Sequence, residues 1–145
     1  MNTIDELGDL TTFREIIKDE ITEFKDDTII DLKGYAFRYC TSLTSVSFPN
    51  ATSIGEYAFD SCSKLTSVSF PNATSIGGFV FRDCSKLTTL YIGTETDTVC
   101  TLANANLPST VAYIYVPSAL VEQYKTATNW SKFADRIKAY TGETA

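Results

Sequence analysis

IGEYAFDSCSKLTSVSF, residues 54–70, is the middle one of three near-copies. Residues 32–48 read LKGYAFRYCTSLTSVSF and residues 76–92 read IGGFVFRDCSKLTTLYI. The offset is 22 throughout: Tyr35, Tyr57 and Phe79; Cys40, Cys62 and Cys84; Leu43, Leu65 and Leu87. Self-similarity at a fixed short period marks a solenoid, in which each unit is one turn that buries its apolar face only against its neighbours. Leu43, Val46 and Phe48 read as the inward side of a short strand, which leaves Ser45 and Ser47 pointing outward because side chains alternate along a strand. Pro49-Asn50 ends that strand, since Pro donates no amide to a ladder and Asn favours turns. Ile54, Ala58 and Phe59 return to the core, and Asp60, Ser61 and Lys64 belong to an irregular outer arc.

The pattern continues in weaker form on both sides. Ile21-Thr22-Glu23-Phe24 matches Leu43-Thr44-Ser45-Val46 and makes a degenerate first rung. Asp26 and Asp27 stand where later repeats carry an apolar residue and Pro. Val111–Val116 matches Leu87–Ile92 at an offset of 24, across an irregular loop, GTETDTVCTLANANLPST, over 93–110. A period in the range of about 20–29 residues with L-x-x-V-x-F is a leucine-rich-repeat pattern. The expected fold is an α/β solenoid of about five rungs, with a parallel sheet, an irregular outer arc and helical caps at both ends.

The caps are read from periodicity. Leu10, Phe13, Ile16 and Ile17 fall at helical spacing, and Thr3/Glu6 and Thr12/Glu15 fit capping boxes, so residues 1–20 are expected as a helical N-terminal cap. Residues 21–116 are the repeats. Residues 117–145 are expected as a helical C-terminal cap, with Leu120, Val121 and Tyr124 on one helix and Trp130, Phe133, Ile137 and Tyr140 on a second, after a break at Thr128-Asn129. Capping both ends implies a monomer or small oligomer rather than a filament.

The motif Ile-Gly-x-Tyr-Ala-Phe-x-x-Cys-x-x-Leu-Thr-Ser-Val-x-Phe-Pro-Asn, residues 54–72, resembles the BspA-like leucine-rich repeat, and the resemblance spans roughly residues 21–116. The ending IYVPSALVEQYKTATNWSKFADRIKAY resembles that of short members from gut Firmicutes and their phages. The resemblance implies a bacterial surface-protein setting, adhesion in some members, and no shared active site.

Composition narrows the function. The 145 residues carry a net charge of −6, but residues 1–31 hold ten acids and three bases, −7, leaving +1 for the rest. With no basic stripe, nucleic-acid binding is disfavoured. No apolar run reaches the ~18 residues of a membrane span. MNTIDELGDL lacks the basic and apolar regions of a secretory signal, so the expected location is cytoplasmic or virion-associated unless the chain is a fragment of a secreted surface protein.

There is no His, which removes the usual general base, and no HExxH, phosphate loop or EF-hand spacing. No enzyme activity, cofactor or metal is expected. Cys40, Cys62 and Cys84 stack in one inward column at about the 5 Å spacing of neighbouring strands, close enough for a disulfide, yet three leave one over. They are expected as a packing ladder of thiols; Cys100 is out of register. The sequons at Asn50, Asn72 and Asn129 are expected to act as turn residues, two of them recurring with the repeat.

One surface stands out. The outward columns are Glu23, Ser45, Ser67, Thr89, Tyr113 and Lys25, Ser47, Ser69, Tyr91, Tyr115. The face is small and polar in its middle and aromatic at one end. Exposed tyrosines bury a large area at small entropic cost, so Tyr91, Tyr113 and Tyr115, with Thr89, Ser67 and Ser69, are the candidate binding site for a protein or glycan. The competing reading packs these tyrosines under the C-terminal helix. A second functional reading is an intracellular, for example phage-encoded, inhibitor acting through its acidic first segment.

Overall fold

The computed structural model describes residues 22–142; the expected N-terminal helical cap lies outside them. The first four turns each contribute one strand to each of two parallel sheets, and the last two strands belong to the larger sheet alone. The larger sheet is formed by β1 (Glu23–Lys25), β3 (Ser45–Ser47), β5 (Ser67–Phe70), β7 (Thr89–Ile92), β9 (Tyr113–Pro117) and β10 (Ile137–Tyr140), side by side in that order. The smaller is formed by two-residue strands β2 (Asp31–Leu32), β4 (Ser53–Ile54), β6 (Ser75–Ile76) and β8 (Thr101–Leu102). The register follows the repeat: Val46 pairs with Phe24 and Val68, and Ser69 with Tyr91. The second sheet was not expected; its rungs are too short for a period-two pattern to show.

The core lies between the sheets and is a pair of phenylalanine columns. Phe37, Phe59 and Phe81 stack at 5.4 and 5.9 Å between ring centroids, and Phe48 meets Phe70 at 6.1 Å. The columns touch, with Phe59 and Phe70 5.9 Å apart. Such ring pairs add about 0.5–1.5 kcal/mol each beyond the area they bury.

Polar ladders run alongside. Thr44 Oγ1 donates to Thr22 O at 2.8 Å, Thr66 to Thr44 at 3.0 Å and Thr88 to Thr66 at 3.2 Å. Asn50 and Asn72 Nδ2 each donate, at 2.7 Å, to a backbone carbonyl of the previous rung's turn. Asn129 Nδ2 donates to Leu102 O at 2.6 Å. All three sequon asparagines therefore use their amides in the fold.

The outer arc turns by left-handed residues. Tyr35, Tyr57 and Phe79 have φ of 62°, 56° and 54°, and Tyr39, Ser61 and Asp83 have 64°, 63° and 59°. This conformation costs an L-residue roughly 1–2 kcal/mol. Here it points amides along the solenoid axis: Tyr35 N donates to Glu56 O at 3.0 Å, Tyr57 N to Gly78 O at 3.1 Å and Ser61 N to Arg82 O at 2.7 Å. Rungs also approach closely at Gly77, where a Cβ would sit 2.4 Å from Glu56 N.

The thiol column is as expected. Cys40, Cys62, Cys84 and Cys100 are all free and buried. Cys62 Sγ donates to Phe37 O and Cys84 Sγ to Phe59 O, each at 3.0 Å. The Cys62 thiol is pushed up by its hydrogen bond with Cys84 and by burial, and burial pushes Cys100 up to about 12.

The C-terminal cap differs from expectation. Among the described residues of this segment only Val121–Thr126, α1, is α-helical; Ser131–Arg136 is 3-10, and Ile137–Tyr140 is strand β10, paired parallel with β9. Trp130, Phe133 and Ile137 are buried as the periodicity required. Their spacing of three to four residues is met by a 3-10 turn running into a strand, and the strand satisfies backbone groups that β9 would otherwise leave unpaired. The cap also explains Cys100. Its amide donates to Tyr124 Oη at 2.8 Å and its carbonyl accepts from Trp130 Nε1 at 2.7 Å.

Two outcomes are expected. Phe59→Ala opens a cavity between Phe37 and Phe81 and should lower unfolding free energy by about 3–5 kcal/mol in chemical denaturation. The four thiols, all buried, should resist a maleimide at pH 7 in the folded protein and react fully only in denaturant; rapid native labelling of Cys62 or Cys84 would contradict the packing.

Candidate functional site

The outward face of the larger sheet holds a shallow groove of about 460 Å³. Ser45, Ser47, Ser67 and Ser69 floor it, Glu23 and Lys25 stand at one end and Tyr91 at the other. The serines are half-buried and arise directly from the repeat: the alternation that sends Val46 and Val68 inward turns their neighbours outward. Thr89 lies next to Ser67 in the same column.

The predicted tyrosines are brought together but not all exposed. Tyr91 and Tyr115 stack at 5.1 Å and 15°, and Tyr113 and Tyr115 at 6.0 Å. Tyr113 is 47% exposed and Tyr115 half-buried, whereas Tyr91 is only 5% exposed. The expectation of Tyr91 as an exposed anchor is thus corrected. Tyr115 covers one side, and Tyr140 meets it edge-on at 6.0 Å and 83°. Tyr91 is the wall of the groove rather than its contact surface.

Sequence reasoning missed part of this end. β10 continues the sheet by one strand, pairing Lys138 with Tyr115 and Tyr140 with Pro117. Lys138 and Tyr140 join the face because the segment is a strand; read as a helix, they fell on the cap. The alternation of apolar Ile137 and Ala139 with charged Lys138 was the available signal, masked by the helical spacing of Trp130, Phe133 and Ile137.

A second aromatic feature lies on the outer arc. Tyr35, Tyr57 and Phe79 stack at 5.0 and 5.4 Å, with the Arg38 and Arg82 guanidiniums 5.3 and 5.0 Å from the Tyr35 and Tyr57 rings. Beneath them Asp60, 0% exposed, takes Arg82 Nε at 3.1 Å and Nη2 at 2.9 Å, with Arg38 Nε 3.0 Å away. Residues 38, 60 and 82 are equivalent, so an acid is clamped between bases of the adjoining rungs. The Asp60 carboxylate raises the Arg82 pKa above its ordinary value. Asp26, the other buried acid, accepts from Thr28 N at 2.7 Å and Ile29 N at 3.2 Å and caps the first rung's turn. Both carboxylates are committed to the fold. Among the described residues no group of three or more Cys, Asp or Glu could hold a metal, and no helix is long and apolar enough to cross a membrane.

The BspA type leucine rich repeat region matches residues 11–128, in six copies. The chain belongs to this family. Among solved structures, a leucine-rich cell surface protein from Faecalibacterium prausnitzii superposes with a TM-score of 0.59 at 23% identity, over 86% of this chain and 33% of that one. The chain therefore spans about a third of that protein's length. No curated protein gives a significant match. The repeat family and the fold fit an interaction module built on a regular face.

The tyrosines should separate by role. Tyr91→Ser removes a buried ring from between Tyr115 and Tyr140 and should cost about 2–4 kcal/mol in denaturant unfolding, whereas Tyr113→Ser should stay within about 0.5 kcal/mol. Equal effects would contradict the burial difference.

Proposed function

We propose that the protein is a non-catalytic recognition module that binds a protein or glycan partner on the outward face of its larger sheet. The observation that carries this is the gathering of Tyr113 and Tyr115 at the end of a groove floored by Ser67 and Ser69, with Thr89 between groove and rings. Tyrosine beside small hydroxyl residues is a composition suited to contact: the rings supply area and the serines adaptable hydrogen bonds. Tyr91 serves by holding Tyr115. The described acids that are buried have structural partners, and no His is present to act as a base, which favours binding over turnover. The cell-surface description of the Faecalibacterium protein supports a bacterial surface setting for this chain.

The test is a pull-down from intact bacteria, and separately from lysate, with wild type beside Tyr113→Ser/Tyr115→Ser, both verified by thermal melts. A partner retained by wild type and lost from the variant is expected. A partner held equally by both would remove the binding role from this face.

A further inference from the structure

The tyrosine end of the sheet carries charge as well as rings. Arg136 directly precedes β10, and Lys138 lies within it beside Tyr115. Lys138 is exposed and makes no ion pair among the described residues. Arg136 packs its guanidinium 5.6 Å from the Phe133 ring centre, and its Nε reaches only to 4.0 Å from Asp135, an acid that is itself 87% exposed. Its Nη1 is buried and finds no acceptor among the described residues. That nitrogen is closed to solvent, but the Arg136 side chain as a whole is 33% exposed, so its positive charge can act on what approaches this end. Residues 117–142 hold four bases against two acids, while residues 1–31 carry −7. Among the described residues β10 is also the last strand of its sheet, with one backbone edge unpaired.

We propose that this end of the sheet, Tyr113, Tyr115, Tyr140, Arg136 and Lys138, binds an extended acidic segment of a protein partner. The proposal rests on the sheet-face reading and gives its partner a chemistry. An extended peptide matches the open edge of β10 in spacing and can use its backbone donors and acceptors, as in strand addition. Carboxylates on alternate residues fall on the outward face beside Lys138, with the charge of Arg136, two residues before it in the chain, adding to the attraction. The peptide is favoured over an anionic glycan because only the peptide uses the backbone edge. Lys138 taken alone reads as a charge that discourages edge pairing. Arg136 precedes the strand and does not serve that purpose, and the two cations together select the sign of what approaches.

The experiment titrates isotope-labelled protein with an eight-residue peptide of alternating glutamate and threonine. The lysine–threonine counterpart and a heparin octasaccharide are titrated in parallel. The glutamate peptide should shift amides at 113–115 and 136–140, lose affinity with added salt, and bind about tenfold more weakly to Lys138→Glu. Arg136→Gln should weaken it too; the exposed Lys138 variant decides the matter if the Arg136 variant melts early. Absence of shifts at millimolar glutamate peptide, equal binding of the lysine peptide, or shifts at this end with the octasaccharide alone would overturn the proposal. A captured partner lost with Tyr113→Ser/Tyr115→Ser but kept by Lys138→Glu would reject the acidic segment and leave the sheet face standing.

Discussion

Each rung hydrogen-bonds to the one before it through equivalent atoms, so whatever one residue does its counterpart 22 positions on must also do. This constraint governs the side chains. Phe37, Phe59 and Phe81 can stack because their backbones are already held in register by bonds such as Phe37 N to Ala58 O at 2.7 Å. Thr44, Thr66 and Thr88 bond to one another's carbonyls for the same reason. The constraint also prohibits. At Gly77 the preceding rung lies too near for a Cβ. At residues 38, 60 and 82 three like charges in a column would repel at close range, and the chain alternates Arg, Asp, Arg instead.

A solenoid built this way solves its interior by repetition and must solve its ends individually. The last rungs do so by breaking the period. The 93–110 loop lengthens the arc, and its Cys100 peptide is clasped from both sides by Tyr124 and Trp130, whose rings meet edge-on at 5.4 Å. Desolvation pushes the Tyr124 hydroxyl up to about 12, so it stays neutral while it accepts the amide. β10 then pairs with β9 and carries the sheet one strand further.

Much of this was legible in the sequence, and the reasons are physical. The repeat, the inward phenylalanines, the thiol ladder and the sheet-face columns all follow from period and alternation, which a linear pattern records directly. The sequon asparagines were legible as turn residues because Asn competes locally for backbone groups. The second sheet was not, since strands such as Ser53–Ile54 are too short for any alternation. β10 was misread because Trp130, Phe133 and Ile137 satisfy helical spacing while the pairing that decides the matter lies in β9, 23 residues away. The burial of Tyr91 was legible only as the competing reading, under a helix, and its actual cover was missed for the same reason: Tyr140 lies on it because β10 is a strand.

The same repetition limits where specificity can reside. Ser45 and Ser67 are equivalent, as are Ser47 and Ser69, so the middle of the face presents a partner with the same contacts one rung apart. Small hydroxyls at that repeat would give a partner contacts but no position along the axis, because a shift by one rung exchanges one serine for another at little cost. A partner is held at one place only where the columns change. They change at Glu23 and Lys25 and again where Ser69 gives way to Tyr91, Tyr115 and Lys138. At the first end the substitution adds two charges of opposite sign on one strand, which offset each other toward a partner. At the second it adds rings and cations without nearby buried acids, so area and charge sign act together. On the proposed reading, the end that closes the fold is therefore also the end that would tell one partner, and one register, from another.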